Sequence, residues 1–315
     1  MQDGTRLAAV DLGSNSFRLE IGRMERGQYY RSDYTKETVR QGNGLDAAGH
    51  LSSEAMQRGW DCLARFGQRL AGLPQDKVRA VATQTLREAH NRDEFLARGR
   101  ELLGFPIQVI SGLEEARLVY QGVARALRQG GERRLVIDIG GRSTELILGQ
   151  GLAATQMKSY AVGSVEWSAR YFPQHQFSDH AFQTAQTAAK AVLSEALDAY
   201  PRGAWEIAYG SAGTVGAVGE VLTAAGWPAG SVSGEGLNWL QDRLIEAQSA
   251  DRIELKGMQE DRRAIIGGGL SVLRAVFDAL QIDTMQLAAG SLRHGLLYDL
   301  ISHHAPTPTH TRQQA

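Results

Sequence analysis

The stretch that decides the fold is residues 137–146, with the sequence IDIGGRSTEL. Apolar runs lie on both sides of it, so the pattern predicts a strand, a tight polar turn and a second strand. Asp138 places a charge at the end of a hydrophobic run, which costs free energy unless a cation or hydrogen bonds offset it. Gly140 and Gly141 allow backbone N–H groups to approach a ligand closely, and the hydroxyls that follow add donors. The stretch therefore indicates phosphate and metal chemistry.

The same pattern occurs earlier, at residues 10–19, with the sequence VDLGSNSFRL. Here too an apolar strand ends in an aspartate, Asp11, and a turn rich in glycine and serine leads into another strand. A repeat of this kind predicts two similar units, so each hairpin should begin its own α/β lobe. Two such hairpins that face each other across a cleft would hold a polyanion from both sides.

Composition excludes several classes of protein. The chain has 315 residues, of which 43% are hydrophobic and 22% charged, as is usual for a soluble globular protein. The formal net charge of −1 argues against bulk nucleic-acid binding. The single cysteine, Cys62, has no partner for an internal disulfide and is interpreted as a core residue. We see no signal peptide and no apolar run of about 20 residues, so we expect a cytoplasmic protein without membrane contact.

Three further segments carry polar groups where α/β proteins often bind ligands. Arg87 follows a predicted strand at 78–82, a position compatible with phosphate contact and equally with a salt-bridged or solvated arginine. Glu114 and Glu115 begin a helix, where the helix dipole alone would account for acidic residues, although one of them could face the cleft. Gly213 lies in a loop of small residues between a strand and a helix, which is a common anion site.

The periodicity also predicts long helices at 182–200 and 260–280, the latter interrupted by three glycines at 267–269, and a last helix at 292–301. Polar residues at 129–132 favour a domain boundary, so the lobes are predicted at 1–128 and 129–304. The tail at 305–315 is predicted to be disordered.

Six ordered segments together resemble the exopolyphosphatase and guanosine pentaphosphate phosphohydrolase family, in a short two-domain form. The resemblance covers most of residues 6–301. It implies two ribonuclease-H-like lobes of the actin, Hsp70 and sugar-kinase superfamily around a central cleft, with the last helix, 291–302, packed back on the first lobe. The implied enzyme is a phosphoanhydride hydrolase that releases orthophosphate from the end of linear polyphosphate, with pppGpp as a second predicted substrate. The segments that carry the resemblance are 10–19, 83–87, 111–120, 137–146, 210–214 and 290–298.

The resemblance also implies roles for individual residues. Glu115 would be the catalytic base, Glu145 would help to hold the attacking water, and Asp138 and Asp11 would bind a divalent metal. Mg²⁺, or Mn²⁺ in its place, suits carboxylate and phosphate oxygens. The predicted phosphate-binding residues are Ser14, Asn15, Ser16, Arg87, Gly140, Gly141, Arg142, Ser143 and Gly213.

The sequence departs from the family pattern at three places. Arg142 stands where the family usually has glycine, and it could grip the substrate or narrow the site. His294 stands where the family motif commonly has glutamate. Long members carry an additional C-terminal helical region that this sequence does not contain, which predicts a preference for short polyphosphate chains.

Two alternative functions compete with this interpretation. The first is an ATP-dependent kinase or ATPase of the same superfamily, in which the loop that contains Gly213 would contribute to adenosine binding. The second is a non-catalytic sensor of polyphosphate or pppGpp, although a pure binder gains nothing from extra carboxylates around a polyanion. A homodimer is expected from the family alone, and a K⁺ requirement stays open.

Overall fold

Two mixed β-sheets with flanking helices organise residues 1–303, which are the residues that the computed structural model describes. This arrangement confirms the predicted α/β class with two lobes. The predicted tail at 305–315 lies outside the described residues. Within the described residues, no helix is both long and apolar enough to cross a bilayer.

The first sheet has five strands in the order β3-β2-β1-β4-β5. Its centre is the predicted hairpin of β1 and β2, and β4 pairs with β1 in parallel. The strands and helices of this part of the chain are β1 (Arg6–Leu12), β2 (Ser16–Glu25), β3 (Gln28–Thr38), α1 (Ser53–Leu70), β4 (Val78–Ala82), α2 (Gln84–Glu88), α3 (Arg92–Leu103), β5 (Ile107–Val109) and α4 (Gly112–Ala126).

The second sheet has six strands in the order β10-β11-β9-β6-β7-β8, and the hairpin of β6 and β7 lies within it. As in the first sheet, the strand that carries the aspartate near its end has an antiparallel partner on one side and a parallel partner, β9, on the other. The elements are β6 (Arg133–Ile139), β7 (Thr144–Gln150), β8 (Ala153–Tyr160), α5 (Ser164–Tyr171), α6 (Asp179–Leu193), α7 (Ala196–Ala199), β9 (Ile207–Ser211), α8 (Ala212–Ala224), β10 (Ser231–Ser233), α9 (Gly234–Ala247), α10 (Glu260–Arg263), α11 (Ile266–Leu280), β11 (Thr284–Leu287) and α12 (Leu292–His303).

Helices α4 and α12 connect the two halves of the molecule. Helix α4 follows the first sheet but packs on β7 and β8 of the second, whereas α12 follows the second sheet and packs on β1 of the first. The two helices also pack on each other, and a Cβ atom at Gly295 would collide with the carbonyl oxygen of Leu118. This close approach fixes the start of each helix relative to both sheets.

Two of the predicted long helices are broken. The predicted helix 182–200 is divided into α6 and α7, and the predicted helix 260–280 is divided into α10 and α11. The second break lies at Ile265, whose backbone is not helical, and the three glycines lie inside α11 instead of interrupting it. They allow close packing, because a Cβ atom at Gly268 would collide with the backbone nitrogen of Ser168. The short strand β10 and the edge strand β8 were not predicted.

Candidate active site

The turns of the two hairpins touch each other across the gap between the sheets. A Cβ atom at Gly141 would lie 2.8 Å from the Cβ atom of Ser14, which is closer than real side chains approach. Gly42 donates a backbone hydrogen bond of 2.8 Å to the carbonyl oxygen of Ser14 and so supports the first turn from behind. Glycine at position 141 therefore allows the two predicted phosphate loops to meet.

A cavity of about 470 Å³ opens beside these turns. Most of the predicted site residues line it, namely Asp11, Ser14, Asn15, Ser16, Glu115, Asp138, Gly140, Gly141, Ser143 and Gly213. The other three, Arg87, Arg142 and Glu145, are not among its lining residues. The fold thus brings together ten of the thirteen predicted residues from four separate segments.

The aspartates of the two hairpins have different partners. Asp11 lies opposite Arg18 in the register of β1 and β2, and Arg18 Nη1 donates a hydrogen bond of 3.3 Å to the Asp11 carboxylate. At the equivalent place in the second hairpin, Asp138 lies opposite Glu145. The first aspartate is therefore matched by a cation, and the second faces another acid.

Burial is the largest influence on the pKa of both aspartates, and the charges that oppose it differ. Burial raises the pKa of Asp11, and the charges of Arg18 and Arg293 oppose that effect. Burial raises the pKa of Asp138 to about 6, where a hydrogen bond from Ser211 and the charge of Arg18 only partly compensate and Asp11 adds repulsion. Of the two aspartates, Asp138 therefore has less positive charge near it to stabilise its ionised form.

Glu115 reaches the cavity from the first turn of α4. The Ser111 side chain caps this helix by accepting from the backbone nitrogen of Glu114. Glu115 then lies beside Arg87, whose Nη1 donates a hydrogen bond of 2.7 Å to the carboxylate. Burial still raises the pKa of Glu115 to about 7, because the Arg87 charge is opposed by Asp138 and Asp11. A carboxylate with a pKa near neutrality suits a general base.

The neighbouring glutamate, Glu114, has a different environment. It forms ion pairs with Arg117, at 2.7 Å, and with Arg79, at 3.1 Å. Hydrogen bonding to Arg117 lowers its pKa. Of the two glutamates that could have faced the cleft, Glu115 is therefore the one that lines it.

Glu145 lies behind the cavity lining. It is almost fully buried in β7, and Ser159 donates a hydrogen bond of 2.7 Å to its Oε1 atom. Burial raises its pKa well above the usual range, and the nearby charges of Glu115 and Asp138 raise it further. Three acids are thus close enough to repel one another at the rear of the cavity.

This donor set fits a hard divalent cation. Within residues 1–303, no three His, Cys, Asp or Glu side chains converge as a ready-made metal cage. Mg²⁺ does not need one, because it commonly takes one or two carboxylates and completes its shell with water and substrate phosphates. The under-compensated Asp138 has the environment of such a ligand, whereas Asp11 is already paired with Arg18.

Arg87 and Arg142 both have protein partners in the structure. Arg87 forms a salt bridge with Glu115, which was one of the environments that the sequence left open for this arginine. Arg142 Nε donates a hydrogen bond of 2.8 Å to Glu88, and Arg142 Nη2 lies 3.7 Å from Glu166. Through the contact with Glu88, Arg142 joins the second hairpin to the first lobe. A direct role of either arginine in phosphate binding stays a prediction, and the contacts shown here do not support it for Arg142.

Four cationic side chains that were not predicted also line the cavity: Arg18, Lys36, Arg262 and Arg293. A Cβ atom at Gly213 would collide with the Arg262 guanidinium, so this predicted anion loop is covered by an arginine. Arg18 could have been found from the hairpin register, which pairs it with Asp11. Arg262 and Arg293 are far from either hairpin in sequence, and only the fold brings them to the cavity.

Comparison with known proteins agrees with this arrangement. An exopolyphosphatase-like protein of known structure is 25% identical, with a TM-score of 0.84 over 95% of this chain and 98% of its own. An exopolyphosphatase from Cytophaga hutchinsonii is 23% identical, with a TM-score of 0.83 over the same shares. A Ppx/GppA enzyme from Aquifex aeolicus is 22% identical, with a TM-score of 0.75 over 94% and 99%. The model of the Ppx/GppA phosphatase family matches residues 23–304, and the chain therefore belongs to the Ppx/GppA phosphatase family.

Proposed function

We propose that the protein is an exopolyphosphatase, which hydrolyses the terminal phosphoanhydride bond of linear polyphosphate and releases orthophosphate. The observation that carries the proposal is one cavity that combines two glycine-serine turns, a carboxylate with a pKa near 7 and several cations. The turns bind phosphate, the carboxylate activates water, and the cations neutralise the negative charge of the polyphosphate. Hydrolysis of a phosphoanhydride requires these three functions and no covalent nucleophile.

Glu115 is the proposed general base. Its carboxylate is buried at the cavity wall, and Arg87 holds one of its oxygens. At neutral pH a large fraction is ionised, so it can take a proton from water as the water attacks the terminal phosphorus. Arg87 is then a positioning residue, because it orients the carboxylate without lining the cavity. Glu145 would act from behind, through its repulsion of Glu115, more than by direct contact with the water.

The two turns are the proposed binding element for the terminal phosphate. Ser14, Asn15, Ser16 and Ser143 supply side-chain donors at one end of the cavity. Arg18 and Arg293 supply positive charge beside them. Because phosphoryl transfer spreads negative charge over the equatorial oxygens, fixed donors and cations around them lower the barrier.

Asp138 is the proposed ligand of Mg²⁺, with Mn²⁺ as a substitute, and Asp11 is a secondary candidate. When bound, the cation would neutralise charge on the phosphates and help to orient the end of the polyphosphate. The protein's own residues supply the general base, the two phosphate-binding turns, and the positive charge of Arg18 and Arg293. The proposal of a homodimer rests on the family resemblance alone.

The kinase alternative has less support in this cavity. A kinase of the superfamily would need an open adenosine site at the loop around Gly213, whereas here the Arg262 guanidinium lies directly on that glycine. A guanidinium at this place favours an anionic group, such as another phosphate. The preference for phosphate groups also keeps pppGpp as a second proposed substrate, because its 5′ end carries a chain of phosphates.

The test is a comparison of phosphate release from tripolyphosphate, long-chain polyphosphate, pppGpp and ATP, with Mg²⁺ and without any acceptor. We expect rapid release from at least one polyphosphate and little from ATP. Release that requires an added sugar or protein acceptor would identify a kinase. Tight binding of tripolyphosphate with no release would identify a sensor. Either outcome would refute the proposed function.

A further inference from the structure

Strand β2 contains a buried carboxylate that the proposed function does not use. Glu20 is only 1% exposed. Its Oε2 atom accepts a hydrogen bond of 2.8 Å from Arg293 Nε, and its Oε1 atom accepts one of 3.4 Å from the Tyr29 hydroxyl. A buried charge of this kind is costly unless it is paired, so the contact with Arg293 explains how Glu20 is tolerated.

Arg293 is held from three directions. Besides the bond to Glu20, its Nη1 atom donates a hydrogen bond of 3.0 Å to Ser291 Oγ, and its guanidinium lies 4.9 Å from the centre of the Tyr34 ring. Among residues 1–303, no acceptor forms a hydrogen bond with its Nη2 atom, and the two hydrogen bonds of the guanidinium use Nε and Nη1. Arg293 also lines the cavity. The guanidinium is thus fixed in one orientation with a donor still available for a phosphate oxygen.

The pair joins parts of the chain that are distant in sequence. Arg293 lies in the first turn of α12, which follows the second sheet, and Glu20 lies in the first sheet. The strand therefore fixes a side chain that arrives at the cavity from the last helix of the described structure.

His294 does not compete for the same carboxylate as a cation. Its Nε2 atom lies 3.7 Å from Glu20 Oε2, but burial, assisted by the Arg293 charge, lowers the pKa of His294 to about 4. The ring is neutral at pH 7, so Arg293 is the group that balances the charge of Glu20. Glu20 and Arg293 therefore form a matched pair of one anion and one cation.

We infer that Glu20 is a positioning residue that orients Arg293 to bind a phosphate of the substrate chain. A buried ion pair is weak evidence for stability, because a well-packed apolar pair of similar size is often as stable. A fixed orientation for a substrate-binding cation is a sufficient reason to keep this pair at the cavity wall. The inference rests on the proposed function, since it assigns Arg293 to the same phosphate substrate.

The experiment is a double-mutant cycle read by steady-state kinetics with tripolyphosphate and Mg²⁺. Arg293→Ala should raise KM by about tenfold or more, the range for a lost hydrogen bond to a charged group. Glu20→Gln keeps the shape of the side chain but removes its charge, and it should raise KM by several-fold with kcat little changed. In the Arg293→Ala background, Glu20→Gln should have almost no further effect on KM. Glu25→Gln is the matched control, because Glu25 lies on the same strand in an exposed ion pair with Arg23 and should leave KM unchanged.

Two outcomes would overturn the inference. One is a Glu20→Gln effect on KM that is as large in the Arg293→Ala background as in the wild type. The other is a wild-type KM for Glu20→Gln. If Glu20→Gln does not fold, Arg293→Lys gives the same test, because lysine keeps the charge but cannot keep the three-sided geometry. A wild-type KM for Arg293→Lys would show that orientation plays no part.

The failure of this inference can be distinguished from failure of the proposed function. If the wild-type protein releases no phosphate, the proposed function fails, and the same variants are then read by calorimetric binding of tripolyphosphate. A weaker affinity for Glu20→Gln that disappears in the Arg293→Ala background would still support the positioning role. Equal affinities of the wild type and Glu20→Gln would refute it.

Discussion

Replacing Glu115 by glutamine should make the stability of the protein less sensitive to pH. Burial raises the pKa of Glu115 from 4.5 to about 7. Because the folded-state pKa lies above the unfolded one, the stabilisation from this group is complete below pH 4.5 and is lost as the pH rises through about 7. The full loss corresponds to about 3 kcal/mol, of which about 2 kcal/mol falls between pH 5.5 and 8.5. Glutamine resembles the protonated acid and does not titrate, so the variant should not show this loss.

The assay is unfolding of the wild type and Glu115→Gln at pH 5.5 and 8.5, with EDTA present to remove divalent cations. We expect the wild type to lose about 2 kcal/mol more than the variant between the two pH values, which for a chain of this length is a difference of about 3 °C in Tm. Glu114→Gln is the control, because hydrogen bonds lower the pKa of Glu114 and place its pH-dependent stability below this range. Parallel pH curves for the wild type and Glu115→Gln would refute the reasoning.

Three further predictions concern the same site. The kcat of the wild type should rise with pH through an apparent pKa near 7, because Glu115 must be ionised to act as base; a profile that is flat from pH 5.5 to 8.5 would contradict this assignment. Mg²⁺ should raise Tm more at pH 8.5 than at pH 5.5, and Asp138→Asn should abolish the increment, as measured by a thermal shift titration; an unchanged increment in Asp138→Asn would exclude Asp138 as the ligand. Arg142→Gly should lower the free energy of unfolding by about 1–2 kcal/mol through the lost contact with Glu88, with KM for tripolyphosphate within about threefold of the wild type; a large rise in KM would instead assign Arg142 to phosphate binding.

The two hairpins could be predicted because their information is local. An apolar run that ends in Asp11 or Asp138, followed by glycine and serine, determines both the strand ends and the polar turn. The helix cap at Ser111 is equally local, and it places Glu115 one turn from the cap. Elements whose residues alternate or repeat over short distances are therefore the ones that the sequence describes well.

The partners of charged side chains could not be predicted in the same way. Arg142 lies in a phosphate-type turn, but its nearest carboxylate, Glu88, comes from α2 in the other lobe. Arg293 and Glu20 are paired although most of the chain lies between them. Such contacts depend on how α12 returns to the first sheet, which no local pattern encodes.

The helix break at Ile265 and the glycines of α11 show a second limit. Glycine lowers helix propensity, so a run of three predicts an interruption. In the folded protein Gly268 lies against Ser168 and Ser164, where any side chain would collide. Tertiary packing thus overrides propensity at this position, and the information for it lies in α5.

The most direct test of the central claim is hydrolysis of tripolyphosphate in water enriched in ¹⁸O, with mass analysis of the released orthophosphate. If water attacks the terminal phosphorus with Glu115 as base, each orthophosphate should carry one solvent oxygen. Glu115→Gln should then reduce the rate by about two to four powers of ten. Orthophosphate without the label would place the attack on another phosphorus, and an undiminished rate in Glu115→Gln would remove that residue from the mechanism.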